Sequence, residues 1–288
     1  MKKLLNRHTL SIKAKQQLRL SPGYFMLVLW LVFCLVTIGW IIIASLSTTR
    51  EIFTNTMLSS GLHFDTYAKV WKENNITRYF INSVIYSVSS CAGVIFVAAP
   101  AAYTLGRKVF RGRKTLINFF LISMCIPVIM IAIPLFSILV RAKMTDSIAT
   151  LIVIYIISLV PFTVFFLISF FATLPGELDE AARVDGCSHG GIFWRIYLPL
   201  AQPGILTVTI FNFMNIWNEY FMALIFSTKS EIRPLSVGLQ SIIQSMRFTG
   251  NWSGLFAAVV IVFMPTFLLY LILSDRIIMG VTGGAVKG

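Results

Sequence analysis

Long apolar segments, separated by shorter polar ones, dominate the chain. A transmembrane helix needs about 20 mostly apolar residues, and segments of that length recur along the sequence. They lie at about 23–44, 80–106, 116–140, 148–172, 204–226 and 254–273. The pattern predicts an all-α membrane protein with six transmembrane helices, whose even number puts both chain ends on the same side of the membrane.

The polar segment between the fourth and fifth predicted spans, residues 173–203, has the signals of two short helices. In the first, Pro175 suits the opening turn, acidic residues follow where the helix dipole is positive, and Gly186 marks the end. The acidic residues are Glu177, Asp179 and Glu180. Asp179 and Glu180 are spaced to form ion pairs with Arg183 along one face.

This first short helix has a small apolar face, formed by Leu178, Ala181 and Ala182, that is flat enough to dock against a partner. A second short helix is predicted from Ser188, a favourable N-cap, to Pro199, which ends it. Its apolar stripe consists of Ile192, Phe193, Ile196 and Tyr197. The two helices are expected to form an L-shaped pair that stands off the membrane.

The same segment resembles the cytoplasmic coupling loop of ATP-binding-cassette importer permeases. The family pattern is E-A-A, three residues, G, nine residues, and I-x-L-P. Here it is matched by Glu180, Ala181, Ala182, Gly186, Ile196, Leu198 and Pro199. One departure from the pattern is His189-Gly190-Gly191, where fewer glycines are expected. These glycines should make the second short helix less rigid. The similarity covers essentially the whole chain, because the number, order and spacing of the apolar segments also fit.

Two further sequences narrow the resemblance to the carbohydrate branch of this family. They are WNEY at 217–220 and the terminal GVTGGAVKG at 280–288. Both look like the shorter, six-span subunit of the permease pair in maltose-type importers. The resemblance therefore implies a subunit that carries a sugar or oligosaccharide across the bacterial plasma membrane and has no enzymatic activity of its own.

The resemblance also implies the partners of the chain. A second, homologous permease would complete the membrane pathway, an extracytoplasmic sugar-binding protein would deliver the substrate, and a cytoplasmic ATPase dimer would hold the ATP and Mg²⁺. The chain itself would bind no cofactor. The residues expected to couple it mechanically to the ATPase are Glu177, Leu178, Glu180, Ala181, Ala182, Asp185, Gly186, Ile196, Leu198 and Pro199.

Composition and charge support a membrane location independently. The chain is 57% hydrophobic and 12% charged, which excludes an ordinary soluble domain. Most of its 24 lysines and arginines lie near the N-terminus, after the second span, in 173–203 or near the C-terminus. The positive-inside rule places those segments in the cytoplasm. We expect cytoplasmic tails at 1–22 and 274–288 around a permease domain at 23–273, lipid contact, and no nucleic-acid partner.

The fifth predicted span carries polar side chains within an apolar run. They are Asn212, Asn215, Asn218 and Glu219. At about 100° per residue, Asn212, Asn215 and Glu219 share one face, which should point at a cavity or another helix because exposure to lipid is costly. Amides suit sugar hydroxyls, and Trp217 and Tyr220 suit pyranose rings, so these six residues are expected to line a substrate pathway. The alternative is interhelical hydrogen bonding that only holds the bundle together.

Other functions are limited by motifs that the sequence lacks. It has no G-x-x-x-x-G-K-[S/T] phosphate loop and no evident catalytic constellation, and its histidines and cysteines are too scattered to predict a metal site. The alternatives are an importer permease for another small solute, a stand-alone secondary transporter, or a membrane scaffold. The outer segments 45–79 and 227–253 would either receive the binding protein or merely connect spans.

Overall fold

The structure, a computed structural model, describes the backbone of residues 2–285 and the side chains of residues 20–272. The basic side chains before residue 20 and the GVTGGAVKG motif lie outside the described side chains. Within the described backbone every regular element is a helix, as the apolar pattern predicts. In chain order the α-helices are α1 (Lys2–Ser45), α2 (Thr49–Thr54), α3 (Asp65–Glu73), α4 (Ile76–Arg107), α5 (Arg113–Met124), α6 (Val128–Arg141), α7 (Ile148–Thr173), α8 (Glu177–Val184), α9 (His189–Ile192), α10 (Leu198–Leu200), α11 (Gln202–Asn218), α12 (Phe221–Phe226), α13 (Leu235–Thr249) and α14 (Trp252–Ala285).

Four helices contain segments long and apolar enough to cross a membrane. These segments are Leu20–Ser45, Ile76–Arg107, Ile148–Thr173 and Trp252–Ile272, and they coincide with the first, second, fourth and sixth predicted spans. The backbone remains helical beyond the two outer spans, because α1 begins at Lys2 and α14 runs to Ala285. The segments predicted as tails are thus helical extensions of these spans wherever the backbone is described.

The third predicted span is not one straight helix. It consists of α5 and α6, which are bent by 93° at the break between them. Pro127 stands at this break as the N-cap of α6, and proline both lacks an N–H donor and disfavours the helical conformation of the residue before it. The apolar run at 116–140 indicated the membrane but concealed this corner.

The fifth predicted span, 204–226, is also interrupted. Helix α11 ends at Asn218, Glu219 and Tyr220 are not helical, and α12 follows. On its other side, α11 is bent by 73° from the helical segment His189–Leu200. By length and composition the described helices give four candidate spans, or up to six if each bent pair is counted as one span. The count of six stays a prediction.

The chain forms two compact units. One comprises the chain up to Ala68 together with Met246–Val260, and the other comprises Lys69–Ser245 together with the chain from Ile261 onwards. In the second unit α4, α7 and α11 pack on one another around apolar clusters. One cluster contains Leu167, Phe171 and Tyr197, and the other contains Tyr86, Leu151 and Phe226.

Helix α4 approaches α7 closely through its small residues. A Cβ atom added to Gly93 would clash with the Ile156 side chain, and one added to Gly106 would lie 3.1 Å from the carbonyl oxygen of Ile168. Without a hydrophobic driving force between helices in lipid, close packing of this kind supplies much of the association energy. The small residues of α4 therefore allow α4 and α7 to pack closely.

The segment at 45–63 is organised by one carboxylate in the first unit. Glu51 and Thr48 form a capping box at the start of α2, which satisfies two free backbone donors. The Oε1 atom of Glu51 also accepts hydrogen bonds from the Ser59 hydroxyl at 2.7 Å and from the Ser60 backbone N–H at 2.6 Å. These bonds lower the pKa of Glu51 below the ordinary carboxyl range, with the Ser59 hydroxyl as the largest contribution.

Candidate functional site

The first short helix of segment 173–203 forms as predicted and ends at a glycine. Helix α8 is followed by Gly186, whose φ of +78° favours glycine. The Gly186 N–H donates to the Arg183 carbonyl at 3.0 Å, and the Cys187 N–H donates to the Ala182 carbonyl at 2.9 Å. This pair of bonds is a Schellman motif, so the turn after α8 is fixed by backbone geometry.

The apolar face predicted for α8 divides between the protein interior and the surface. Ala182 is buried and Leu178 packs against the same apolar cluster, whereas Ala181 is exposed. Of the three residues expected to dock on a partner, this chain therefore buries Ala182 and half-buries Leu178, and it leaves Ala181 exposed. Docking on a partner stays a prediction. The outer surface of α8 and its turn consists of Glu177, Glu180, Ala181, Arg183, Val184, Asp185 and Gly186.

The second short helix starts as predicted but ends later. The Ser188 side chain caps it by accepting a hydrogen bond from the Gly191 N–H at 3.2 Å. Helical structure then continues through a π-helical turn, Phe193–Tyr197, into α10, so Pro199 does not end the helix. Pro199 instead lies one residue before the end of this helical stretch at Leu200. Of the predicted coupling residues in this part, Pro199 is exposed, while Ile196 and Leu198 are half-buried against the core.

Asp179 interacts with α4 and its end rather than with Arg183. Its Oδ2 atom lies 3.7 Å from Arg107 Nη2 and 3.6 Å from Lys108 Nζ. The Asp179 and Arg107 side chains are only 15% and 12% exposed, so solvent screens this ion pair less than a surface pair. Among the described side chains, the predicted ion pair between Asp179 and Arg183 is not formed.

Arg107 also contacts both ends of the segment that contains α8, α9 and α10. Its guanidinium donates to the carbonyl oxygens of Leu174 at 2.7 Å and Pro175 at 3.1 Å, and to the Tyr197 hydroxyl at 2.7 Å. The Arg107 guanidinium carbon lies 5.0 Å from the centre of the Tyr197 ring, within the range of a cation–π interaction. One side chain at the end of α4 therefore contacts the beginning and the end of this segment.

A cavity with several polar residues in its wall lies between α7, α11 and the break that separates α5 from α6. It has a volume of about 450 Å³, and its walls include Ser123, Tyr155, Ser158, Phe162, Phe211, Asn212, Asn215 and Glu219. The structure thus brings together the three residues that the sequence placed on one face of the fifth span. Asn215 is exposed to the cavity, and within the described part of the chain it has no hydrogen-bond partner.

The other two residues of that face already have partners within the protein. Asn212 is 1% exposed, and its Nδ2 atom donates to Thr163 Oγ1 on α7 at 2.9 Å. The Glu219 carboxylate accepts hydrogen bonds from the backbone N–H groups of Met222 at 2.7 Å and Ala223 at 2.9 Å, so it caps α12. The Tyr155 hydroxyl donates to the same carboxylate at 2.9 Å. For Asn212 the structure favours the alternative role of joining helices.

The remaining residues predicted for the substrate pathway lie elsewhere. The Trp217 ring is buried, stacked on Phe213 and edge-on to Phe80. Asn218 is exposed and donates to the Met214 carbonyl. Tyr220 is half-buried and packs against the apolar cluster around Tyr86. None of the three lines the cavity. Trp217 and Asn218 lie on other faces of α11 than Asn212 and Asn215, and Tyr220 follows the end of that helix.

Sequence reasoning missed Arg107 and Tyr155 as site residues. Arg107 counted only as one of several basic residues that orient the membrane topology, and Tyr155 as part of an apolar span. The contacts of Arg107 with segment 173–203 and of Tyr155 with Glu219 join residues far apart in the chain, so periodicity could not reveal them. Among the side chains of residues 20–272, no group of three or more histidines, cysteines or acidic residues is arranged to hold a metal ion.

Comparison with known proteins establishes the family. The model for binding-protein-dependent transport system inner membrane components matches residues 95–282. The chain is 34% identical over 266 residues to the diacetylchitobiose uptake system permease protein NgcG of Streptomyces coelicolor, covering 92% of this chain and 88% of that protein. It is 30% identical over 273 residues to the arabinooligosaccharides transport system permease protein AraQ of Bacillus subtilis, covering 91% of this chain and 92% of that protein.

A solved structure shares the fold. It is the crystal structure of a bacterial ABC transporter involved in the import of the acidic polysaccharide alginate, and one of its chains superposes with a TM-score of 0.77. The two chains are 23% identical, and the match covers 88% of this chain and 95% of that one. At this identity the comparison supports the fold.

The fold and the site define a helical membrane permease, with a cavity between its helices and a short helical segment held at their ends. The chain belongs to the family of binding-protein-dependent transport system inner membrane components. It is a permease subunit of an ATP-binding-cassette importer and not an enzyme, which confirms the resemblance found in the sequence.

Proposed function

We propose that this chain is a subunit that carries a sugar or oligosaccharide across the bacterial inner membrane. The observation that carries the proposal is the nature of its relatives, which are permeases for diacetylchitobiose and arabinooligosaccharides and match about nine-tenths of the chain. The trehalose transport system permease protein SugB of Mycobacterium tuberculosis, 29% identical over 256 residues, adds a third carbohydrate.

The segment 173–203 serves in this proposal as the coupling loop to a separate ATPase. Closure of the ATPase dimer displaces α8 and the turn at Gly186, and the displacement tilts the spans so that the cavity changes its side of access. Glu180 makes the contact with a cleft on the ATPase, Ala181 permits close approach, and Gly186 sets the bend. The buried Ala182 supports α8 from inside.

A second permease subunit and a binding protein complete the proposed importer. The second permease closes the pathway on the open side of the cavity, and both chain ends lie in the cytoplasm beside the ATPase dimer, which holds the ATP and Mg²⁺. The outer segments 45–79 and 227–253 receive the sugar-binding protein. Basic residues at the proposed cytoplasmic ends of the spans support this orientation.

Within the cavity, Asn215 is the proposed contact for a sugar hydroxyl, because an amide offers both a donor and an acceptor. Phe162 and Phe211, which belong to the same wall, offer apolar ring surfaces of the kind that sugar rings contact. Tyr155 and Glu219 are already hydrogen-bonded to each other and shape the wall beside it.

Solute uptake in cells tests the proposal. A strain that lacks this chain, with and without the restored gene, would be given labelled diacetylchitobiose, trehalose and arabinotriose, with labelled glutamine and phosphate as non-sugar controls. We expect restored uptake of at least one sugar and unchanged uptake of the two controls. Uptake of glutamine or phosphate that depends on the chain would contradict the assignment to sugars, and sugar uptake that persists without the ATPase would contradict the importer.

A further inference from the structure

We propose that Arg107 is a positioning residue that fastens the coupling loop to α4, so that α4 moves with the loop during transport. The inference rests on the proposed function, since it presupposes that the ATPase drives segment 173–203. It goes beyond that function by naming the helix that receives the motion and the side chain that transmits it.

The backbone alone connects the coupling loop to two helices. The chain enters the loop from α7 and leaves it into α11. The connection to α11 passes a 73° bend, and the connection to α7 passes a non-helical stretch at Leu174–Gly176. Rotation at these two places could absorb a displacement of α8. Further contacts are therefore needed if the loop is to act as a rigid lever.

Arg107 supplies the first of these contacts at the end of α7. It donates to the carbonyl oxygens of Leu174 and Pro175, at 2.7 and 3.1 Å. Leu174 is the C-cap of α7 and Pro175 follows it, so both carbonyl groups lie where the chain leaves the helix. A guanidinium bound to both of them holds the path of the chain at this point.

The second contact is at the far end of the loop. Arg107 Nη2 donates to the Tyr197 hydroxyl at 2.7 Å, and that hydroxyl donates to the Pro175 carbonyl at 3.2 Å. The Tyr197 ring is fully buried beside Tyr103 of α4, with the ring centres 5.0 Å apart. The start and the end of the loop are thus joined to each other and to α4 at one point.

The third contact reaches α8 itself, through Asp179. This carboxylate lies beside Arg107 and also beside Lys108, at 3.6 Å from Lys108 Nζ. Lys108 would therefore keep a positive charge beside Asp179 if Arg107 were replaced. In contrast, the hydrogen bonds to the Leu174 and Pro175 carbonyls and to the Tyr197 hydroxyl come from Arg107 and not from Lys108.

Only arginine can make this set of contacts. Its planar guanidinium presents five donors in a fixed fork, whereas lysine has a compact ammonium that serves as a point charge. A lysine at position 107 would keep the charge and lose the simultaneous bonds to two carbonyls and a hydroxyl. Because α4 packs along α7 and α11, loss of these hydrogen bonds would uncouple the displacement of α8 from the movement of α4, α7 and α11.

The test compares transport with ATP hydrolysis in the complete importer. The chain, its partner permease, the ATPase and the binding protein are reconstituted in liposomes, with the labelled sugar that the cells take up best. We expect Arg107→Lys to retain ATP hydrolysis stimulated by the binding protein but to lower the sugar imported per ATP roughly tenfold. Arg111→Lys is the matched control, since Arg111 is exposed in the same basic loop, and its ratio should equal that of the wild type.

Tyr197→Phe provides a second variant that keeps the buried ring and removes only the hydroxyl. We expect its import per ATP to fall roughly threefold. A loss of folding lowers import and hydrolysis together, so the ratio separates positioning from stability. If Arg107→Lys does not assemble, Tyr197→Phe decides. If the variants that assemble import as much sugar per ATP as the wild type, the inference about Arg107 is wrong. The proposed function still holds in that case, provided that the wild type imports sugar in an ATP-dependent way. Absence of ATP-dependent import by the wild type would overturn the proposed function itself.

Discussion

Asn212 on α11 donates a hydrogen bond to Thr163 on α7, with 2.9 Å between Nδ2 and Oγ1, and both side chains are buried. Both Asn212 and Asn215, which lies three residues further along α11, line the cavity, but Asn215 has no such partner among the described residues. Two amides on one helix face therefore differ. Asn212 joins two helices, and Asn215 is the proposed contact for a sugar.

The first prediction concerns stability. Asn212→Ala removes the bond and leaves the Thr163 hydroxyl without this partner, so we expect the free energy of unfolding to fall by about 1 kcal/mol, as for other polar contacts between membrane helices. Thermal unfolding of the purified importer in detergent measures the effect. Asn215→Ala is the control and should leave the unfolding temperature unchanged. An equal loss in both variants would contradict the different roles.

The second prediction concerns substrate. Asn215→Ala should raise the sugar concentration needed for half-maximal uptake roughly fivefold, the effect of one lost hydrogen bond to an uncharged group. Asn218→Ala is the matched control, because Asn218 is exposed outside the cavity and donates to its own helix. Uptake kinetics in cells measure both. If Asn218→Ala has the larger effect, the pathway does not run through this cavity.

The third prediction concerns the turn after α8. In Gly186→Asp the new side chain has open space, but it must adopt a φ of +78°, which costs about 1 kcal/mol. It also adds negative charge at the proposed contact with the ATPase. We expect the chain to remain in the membrane and ATP-driven uptake to be abolished.

Gly190→Asp is the matched control for this prediction, since it introduces the same charge nearby, also into open space, at a position without positive φ. Uptake and the amount of membrane-inserted protein are measured for both variants. Loss of Gly186→Asp from the membrane would show that the glycine is needed for folding rather than for coupling. Equal loss of uptake in both would point to charge alone.

The fourth prediction concerns pH and the segment at 45–63. Because hydrogen bonds in the folded state lower the pKa of Glu51, its ionised form stabilises the segment at every pH above the ordinary carboxyl range. This stabilisation is lost only as the pH falls below that range towards the folded-state pKa. Amide hydrogen exchange in residues 46–63 should therefore be equally slow at pH 7 and pH 5, after correction for intrinsic rates.

Glu51→Gln should accelerate that exchange at pH 7, because the neutral amide loses charge-assisted bonds to Ser59 and Ser60. Glu73→Gln serves as the control, because the Glu73 side chain is exposed and accepts no hydrogen bond in the described part of the structure. Slow exchange in Glu51→Gln would show that the carboxylate does not organise this segment.

Much of the fold follows from local features of the sequence. Apolar length predicts the spans at Ile76–Arg107 and Ile148–Thr173, and local chemistry predicts the Ser188 cap and the stop at Gly186. These features depend on residues a few positions apart, and such interactions can be recognised without the tertiary structure.

The misplaced features depend on breaks and on long-range contacts. The 93° corner at Pro127 and the end of α11 at Asn218 lie inside continuous apolar runs. Within such a run, hydropathy does not show where a helix bends or ends. Asp179 was expected to pair with Arg183 on its own helix, but Arg107 and Lys108 are brought beside it by the packing of α4. Ala182 and Trp217 are buried for the same reason.

The most direct test of the account is sugar import by the reconstituted importer, with ATP supplied on the ATPase side and the sugar-loaded binding protein on the other. We expect import that requires ATP, the ATPase and the binding protein together, and that is lost in Gly186→Asp while the complex remains assembled. Import by this chain without the ATPase, or assembled Gly186→Asp importer that still imports at the wild-type rate, would contradict it.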